Sequence, residues 1–141
     1  MAIRDKNIDK NNSNFARETV TLFYKTQIAA DVTAGTYGAW IAPYAGTIVS
    51  VNGWLGAKGG ANAASLDVLK GTTEAAAVTV LSAVMNMTSD AIVTGTLSVT
   101  SSDYAFDAGD ALFLQATTGN TTTMDRVAVT ITVRPNLQDE A

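Results

Sequence analysis

Hydrophobic residues recur at every second position in several short segments, a pattern typical of strands with one buried face. It is clearest near the C-terminus, where Pro135 ends a run in which polar or small residues alternate with Val127, Val129, Ile131 and Val133. Similar alternation predicts strands at 19–28, 36–42, 47–55, 66–70, 76–81, 92–99 and 110–117. Such spacing without helices between the strands predicts an all-β, antiparallel eight-stranded β-sandwich, with a jelly roll favoured over an immunoglobulin-like sandwich.

Two predicted strands assign side chains to definite faces. On 47–55, one face carries Val49, Val51, Gly53 and Leu55 and the other carries Ile48, Ser50, Asn52 and Trp54. On 92–99, Val93, Leu97 and Val99 face one way, and Thr94, Thr96 and Ser98 face the other. The glycine-rich stretch 56–62 is predicted to be a loop, and 82–91 an irregular connection.

The alternation divides the chain into an N-terminal arm at 1–18, a sandwich domain at 19–135 and a C-terminal tail at 136–141. Four of the nine basic residues lie in the arm, together with isolated apolar residues. The arm is either a solvated tail or a contact segment for a partner. In the second case the contacts are made by Ile3, Arg4, Lys6, Ile8, Lys10, Phe15 and Arg17.

Composition narrows the class of protein. A chain of 141 residues, 47% hydrophobic and 16% charged, is expected to fold around one core. The net charge of −4, without a basic cluster in the sandwich, argues against nucleic-acid binding. The chain has no cysteine, so packing must supply its stability, and its sequence has no run of 18 apolar residues. We expect a soluble protein that has no membrane partner and acts without export.

Candidate chemistry is sparse, because the chain contains neither histidine nor cysteine. The commonest general base, the thiolate nucleophile and the usual zinc ligands are therefore missing, and we expect no enzyme, no cofactor and no metal. Asp103, Asp107 and Asp110 could supply oxygen ligands to calcium, but aspartate is also a preferred turn residue, and the structural interpretation is favoured. The glycines around Lys58 do not follow the order of a phosphate-binding loop.

Tyr37, Trp40, Tyr44 and Trp54 form a group of aromatic residues that could stack on sugar rings or fill one end of the sandwich. The packing interpretation is favoured for the group. Trp54 differs, since it shares a predicted strand face with Ser50 and Asn52. If exposed, it is the best candidate for an interface anchor, with Trp40 and Tyr44 as further candidates.

Three segments resemble the small jelly-roll proteins that decorate or cement the heads of tailed bacteriophages. They are APYAGTIVSV (Ala42–Val51), FDAGDALFLQA (Phe106–Ala116) and VAVTITVRP (Val127–Pro135). The resemblance implies a virion protein, assembled in the host cytoplasm, that binds the major capsid protein on the capsid exterior. It also implies a homotrimer, or a dimer, with a terminal arm gripping the shell. A carbohydrate-binding or tail-fibre receptor-binding module remains the alternative.

Overall fold

A computed structural model describes residues 17–24, 35–60, 63–118 and 123–136 of the chain. Across these ranges the chain forms ten β-strands and one short helix. In chain order they are β1 (Glu18–Tyr24), β2 (Gly35–Ile41), β3 (Gly46–Gly59), β4 (Ala64–Gly71), β5 (Val78–Thr79), β6 (Met85–Asn86), β7 (Ala91–Gly95), α1 (Ser101–Tyr104), β8 (Ala105–Phe106), β9 (Ala111–Thr118) and β10 (Thr123–Pro135).

The strands form two antiparallel sheets. Sheet A has the order β1-β10-β3-β7, with β8 also pairing with β3. Sheet B has the order β2-β9-β4-β5, with β6 also pairing with β4. The all-β antiparallel sandwich predicted from the alternation is therefore confirmed, and three of the ten strands are only two residues long.

The core lies between the two sheets and is built from alternate residues of the long strands. The four residues of β10 assigned to its inner face are all fully buried, as the pattern predicted. Each large aliphatic side chain buried in this way contributes about 1.5–3 kcal/mol to stability. Sheet B supplies the facing side chains, among them Leu66, Val68, Leu112 and Leu114.

β3 is longer than predicted, because it continues through Gly56 to Gly59 instead of ending in a loop. The extension pairs with the first residues of β10, with Gly59 opposite Thr123 and Ala57 opposite Asp125. Glycine lowers local strand propensity, but fixed ladder partners on a neighbouring strand override that preference. Within the predicted loop, 61–62 lie outside the described residues.

A β-bulge changes the face assignment at the start of β3. Ser50 pairs with Thr132 whereas Ile48 pairs with Val133, so Val49 is the extra residue. Ile48 is consequently buried in the core, and its assignment to the face of Trp54 was wrong. Val51, Gly53 and Leu55 do share one face, as predicted, and that face is buried.

The placement of Val99 on one face with Val93 and Leu97 was also wrong, since Val99 is 98% exposed whereas the other two pack against the core. The strand predicted at 92–99 ends at Gly95, after which Leu97 makes a single bridge to Leu81. Beyond that bridge the chain turns into α1, so the alternation of apolar residues no longer corresponds to a sheet face.

Candidate functional site

Trp54 lies on the outer face of sheet A, where it is the centre of a small apolar surface. In the ladder it is paired with Ala128 of β10 on one side and Ile92 of β7 on the other. Ile92 is 74% exposed, and Trp54 is partly exposed. We call Trp54, Ile92 and Ala128 the Trp54 patch. A shallow depression of about 130 Å³ lies there, lined by the patch together with Asn52, Gly53 and Thr130.

Arg126 extends over this patch in an unusual backbone conformation. Its φ angle is +56°, in the left-handed region that a residue with a side chain seldom adopts. Its guanidinium carbon lies 5.9 Å from the centre of the Trp54 ring, within cation–π range. A Cβ atom on Gly56 would lie 2.7 Å from Nε of Arg126, so the glycine makes room for this side chain.

The polar contacts of Arg126 are incomplete. Its Nε lies 3.5 Å from Oδ2 of Asp125, and neither this Nε nor Oδ1 of Asp125 has a hydrogen-bond partner in the described part of the chain. Buried polar atoms without partners destabilise a fold. Residues with a strained backbone cluster at binding sites and switch regions, where the surrounding structure enforces the strain.

Asp90, immediately before β7, is the other non-glycine residue of the described ranges with a positive φ angle, +51°. Its N–H donates to the carbonyl oxygens of Leu55 and Gly56, at 2.7 and 3.1 Å. Asp tolerates this conformation in turns. Gly56 thus accepts a hydrogen bond from one left-handed residue, Asp90, and lies against the side chain of the other, Arg126.

On the other side of the patch the outer face becomes polar. Neighbouring strands β1, β10, β3 and β7 carry one cross-strand row of polar residues, namely Thr21, Thr130, Asn52 and Thr94. The Thr94 hydroxyl donates to Oδ1 of Asn52 at 2.9 Å. The face therefore combines an apolar centre with a band of short hydrogen-bonding side chains, as binding surfaces commonly do.

Trp40 and Tyr44 are brought together at a different place, one end of the sandwich. Their ring centres lie 6.0 Å apart, and Trp40 packs edge-on against Phe106 at 5.6 Å. The Tyr44 hydroxyl donates to the carboxylate of Glu18. Burial, and then the Glu18 carboxylate, raise the pKa of Tyr44 to about 12. These rings and Tyr37 pack against the core, whereas Trp54 is separate from them.

The aspartates considered as calcium ligands take part in local hydrogen bonds. Asp103 accepts from the Ser98 hydroxyl at 2.6 Å, and Asp110 accepts from the backbone N–H of Asp107 at 2.9 Å. Within the described ranges, no group of three acidic side chains is close enough to hold a metal ion. The Asp107–Asp110 contact is the hydrogen bond of a turn, as the structural interpretation supposed.

Of the arm residues predicted to contact a partner, Arg17 is described, and it is exposed immediately before β1. The others lie outside the described residues: Ile3, Arg4, Lys6, Ile8, Lys10 and Phe15.

Sequence reasoning selected Trp54 but missed Ile92 and Arg126. A signal for Ile92 was present, because it alternates in phase with Thr94 on the polar side of its strand. Arg126 carried no comparable signal, since its left-handed backbone depends on the pairing of β10 with β3.

Within the described ranges the single helix has four residues, which is too short to cross a membrane. A comparison of the sequence with known protein families and with curated proteins found no match.

Proposed function

We propose that the protein is a non-enzymatic structural protein of a tailed-phage virion, which binds the outside of the capsid and reinforces it. The observation that carries a binding role is the Trp54 patch, an exposed apolar surface crossed by a strained arginine on an otherwise polar sheet face. Exposed apolar groups of this kind commonly mark interaction sites. The lack of histidine and cysteine is consistent with a role in binding alone.

The capsid assignment is supported by the three segments that resemble decoration proteins. They meet at one end of the sandwich, where Gly46 pairs with both Phe106 and Pro135. A Cβ atom on Gly46 would lie 2.7 Å from the Phe106 ring and 2.8 Å from the Arg134 carbonyl oxygen. The three segments therefore pack closely against one another around Gly46.

The proposed partner is the major capsid protein, and the proposed assembly is a homotrimer, with a dimer as the alternative. Attachment through several copies suits a patch of this size, since linked weak contacts give an avidity far above that of each contact. The protein then resides on the virion exterior.

A cosedimentation assay with phage heads that lack the protein tests this proposal. Trp54→Ala and Ile92→Ser should each weaken retention on the heads. Ile41→Ser is a matched control, because Ile41 is 70% exposed on the outer face of the other sheet. Deletion of residues 2–17 should also weaken retention if the arm grips the shell. Wild-type protein that does not sediment with heads, or equal retention of Ile92→Ser and Ile41→Ser, would contradict the proposal.

Carbohydrate binding is the second candidate, and the depression beside Trp54 favours it. Asn52 and Thr130 line that depression next to the indole ring of Trp54. A sugar ring could therefore stack on the indole and form hydrogen bonds with these two side chains at the same time. A glycan array probed with wild type and Trp54→Ala tests it. Binding to a glycan that is lost in Trp54→Ala and kept after deletion of residues 2–17 would favour this candidate over capsid decoration.

A further inference from the structure

The outer face of sheet A carries a second row of short polar side chains beside the one already described. The first polar row lies across β1, β10, β3 and β7, with the Trp54 patch on one side of it. On its other side, paired positions of β1, β10 and β3 carry three further hydroxyl groups, those of Thr19, Thr132 and Ser50. We call these three residues the second polar row. The face thus has one apolar row and two polar rows, and none of their side chains is charged.

The absence of charge from these three rows restricts the ligand that they can recognise. Protein surfaces usually carry lysine, glutamate, aspartate and arginine. The nearest cation to the indole is displaced from the polar rows, because Arg126 lies against Gly56, two residues beyond Trp54. The depression lies in the other direction, towards Asn52. Without a cation or a carboxylate in the rows, recognition depends on stacking and on hydrogen bonds between neutral groups, which suits an uncharged ligand.

The spacing of the first polar row matches that of a linear chain of sugar units. Side chains at paired positions of neighbouring strands repeat at about 4.8 Å, so the four strands span about 14 Å. The units of a linear glycan repeat at roughly 5 Å, close to this strand spacing. A glycan that lies across the strands therefore places one unit over each side chain of the row. The depression beside Trp54 already crosses three of these strands, β10, β3 and β7.

The side chains of the first polar row offer both donors and acceptors. The Thr94 hydroxyl donates to Oδ1 of Asn52 at 2.9 Å, so the side-chain nitrogen of Asn52 can donate to a ligand and the Thr94 oxygen can accept. Thr21 is exposed and Thr130 is partly exposed, and each hydroxyl can act in either sense. Sugar hydroxyls have the same double capacity. The row is therefore suited to a ligand with hydroxyl groups along its length.

We propose that the outer face of sheet A binds a neutral linear glycan of about four sugar units, which lies across the strands with one ring stacked against Trp54. Stacking fixes the position of that ring, and the polar row sets the length of chain that is bound. The inference rests on the second candidate function and specifies its ligand. Binding to phage heads is measured by a different assay, so the capsid proposal can fail separately.

The dependence of affinity on glycan length tests this inference with the full-length protein. An array of neutral linear glycans, from monosaccharides to hexasaccharides, identifies the sugar that is bound. Titration calorimetry then measures the affinity at each length. Affinity should rise at least about tenfold from the monosaccharide to the tetrasaccharide, because each added unit gains hydrogen bonds, and it should then level off.

Two substitutions locate the glycan along the row, and valine at each position keeps the β-branched shape that strands favour. Thr130→Val, beside Trp54, should weaken the binding of disaccharide and tetrasaccharide alike, by about twofold to tenfold. Thr21→Val, at the β1 end of the row, should weaken tetrasaccharide binding by a similar factor and leave disaccharide binding unchanged. Thr117→Val is the matched control, because Thr117 is exposed on β9 of the other sheet, and it should bind every length as wild type does.

The possible failures are distinguishable. If no neutral glycan of the array is bound, both this inference and the second candidate function are overturned. If affinity does not change with length, or if Thr21→Val equals wild type at every length, this inference alone is overturned, because a single stacked sugar then accounts for binding. Tighter binding of acidic glycans than of neutral ones of equal length would also overturn it.

Discussion

Arg126 offers a direct test of the strain at the Trp54 patch. A side chain in the left-handed region costs about 1–2 kcal/mol, because Cβ approaches the following carbonyl oxygen, whereas glycine has no such cost. Arg126→Gly removes both this strain and the side chain. Arg126→Ala removes the contacts beyond Cβ but keeps the strain. Comparison of the two variants separates backbone strain from lost contacts.

The magnitudes follow from the contacts of Arg126. Its cation–π contact with Trp54 contributes about 0.5–1 kcal/mol at a partly exposed site, and its ion pair with Asp125 about 0–1 kcal/mol. Arg126→Ala should therefore be destabilised by about 1 kcal/mol. Arg126→Gly is stabilised by relief of the backbone strain. It is also destabilised by about 0.5–1 kcal/mol, because glycine makes the unfolded chain more flexible. It should exceed Arg126→Ala in stability by about 0.5–1 kcal/mol and lie close to wild type.

Equilibrium unfolding in urea measures the free energies of unfolding. Ala128→Gly is the control, since Ala128 lies two residues further along the same strand without a positive φ angle. There glycine should destabilise the protein. Equal free energies of unfolding for Arg126→Ala and Arg126→Gly would refute the claim that the backbone at residue 126 is strained. Both Arg126 variants should bind the partner more weakly, whatever their stability.

Three further predictions concern other parts of the sandwich. Burial raises the pKa of Asp67 above its ordinary value of 3.8, so its contribution to stability is lost as pH rises from there. The stability of Asp67→Asn relative to wild type should therefore increase as the pH rises above about 4, and a relative stability that does not change with pH would contradict this prediction. Gly46→Ala should lower the free energy of unfolding by about 1–3 kcal/mol, because the added methyl group meets the Arg134 carbonyl oxygen; wild-type stability in urea would count against this. Nζ of Lys70 donates to the carbonyl oxygens of Ser102 and Ala105, both at 2.6 Å. Lys70→Met should lower the free energy of unfolding by about 1–2 kcal/mol and therefore lower the melting temperature. An unchanged melting temperature would show that these two hydrogen bonds do not stabilise the protein.

Period-two alternation was sufficient to predict the fold class and the buried face of β10. Such information is local, because successive side chains of a strand point to opposite faces wherever the strand lies in a sheet. The extension of β3 through its glycines was not predictable in this way. It depends on pairing with Thr123–Asp125, more than 60 residues further along the chain.

The candidate site was predictable only in part, for the same reason. Trp54 could be selected because an aromatic residue shared a predicted face with Ser50 and Asn52. Its association with Ile92 and Arg126 depends on the registers of β7 and β10 against β3. A bulge such as the one at Val49 shifts such a register by one residue, and the preceding sequence does not mark it.

The attachment of β1 has a mechanical consequence. β1 runs antiparallel to β10 from Glu18 opposite Val133 to Tyr24 opposite Ala128, so a pull along the strand from its N-terminal end loads the whole ladder in shear. A pull across the sheet would instead peel the ladder open pair by pair, starting at Glu18, where the bond to Tyr44 is the first to break. The protein should therefore withstand tension on its N-terminal end best when that tension lies in the plane of sheet A.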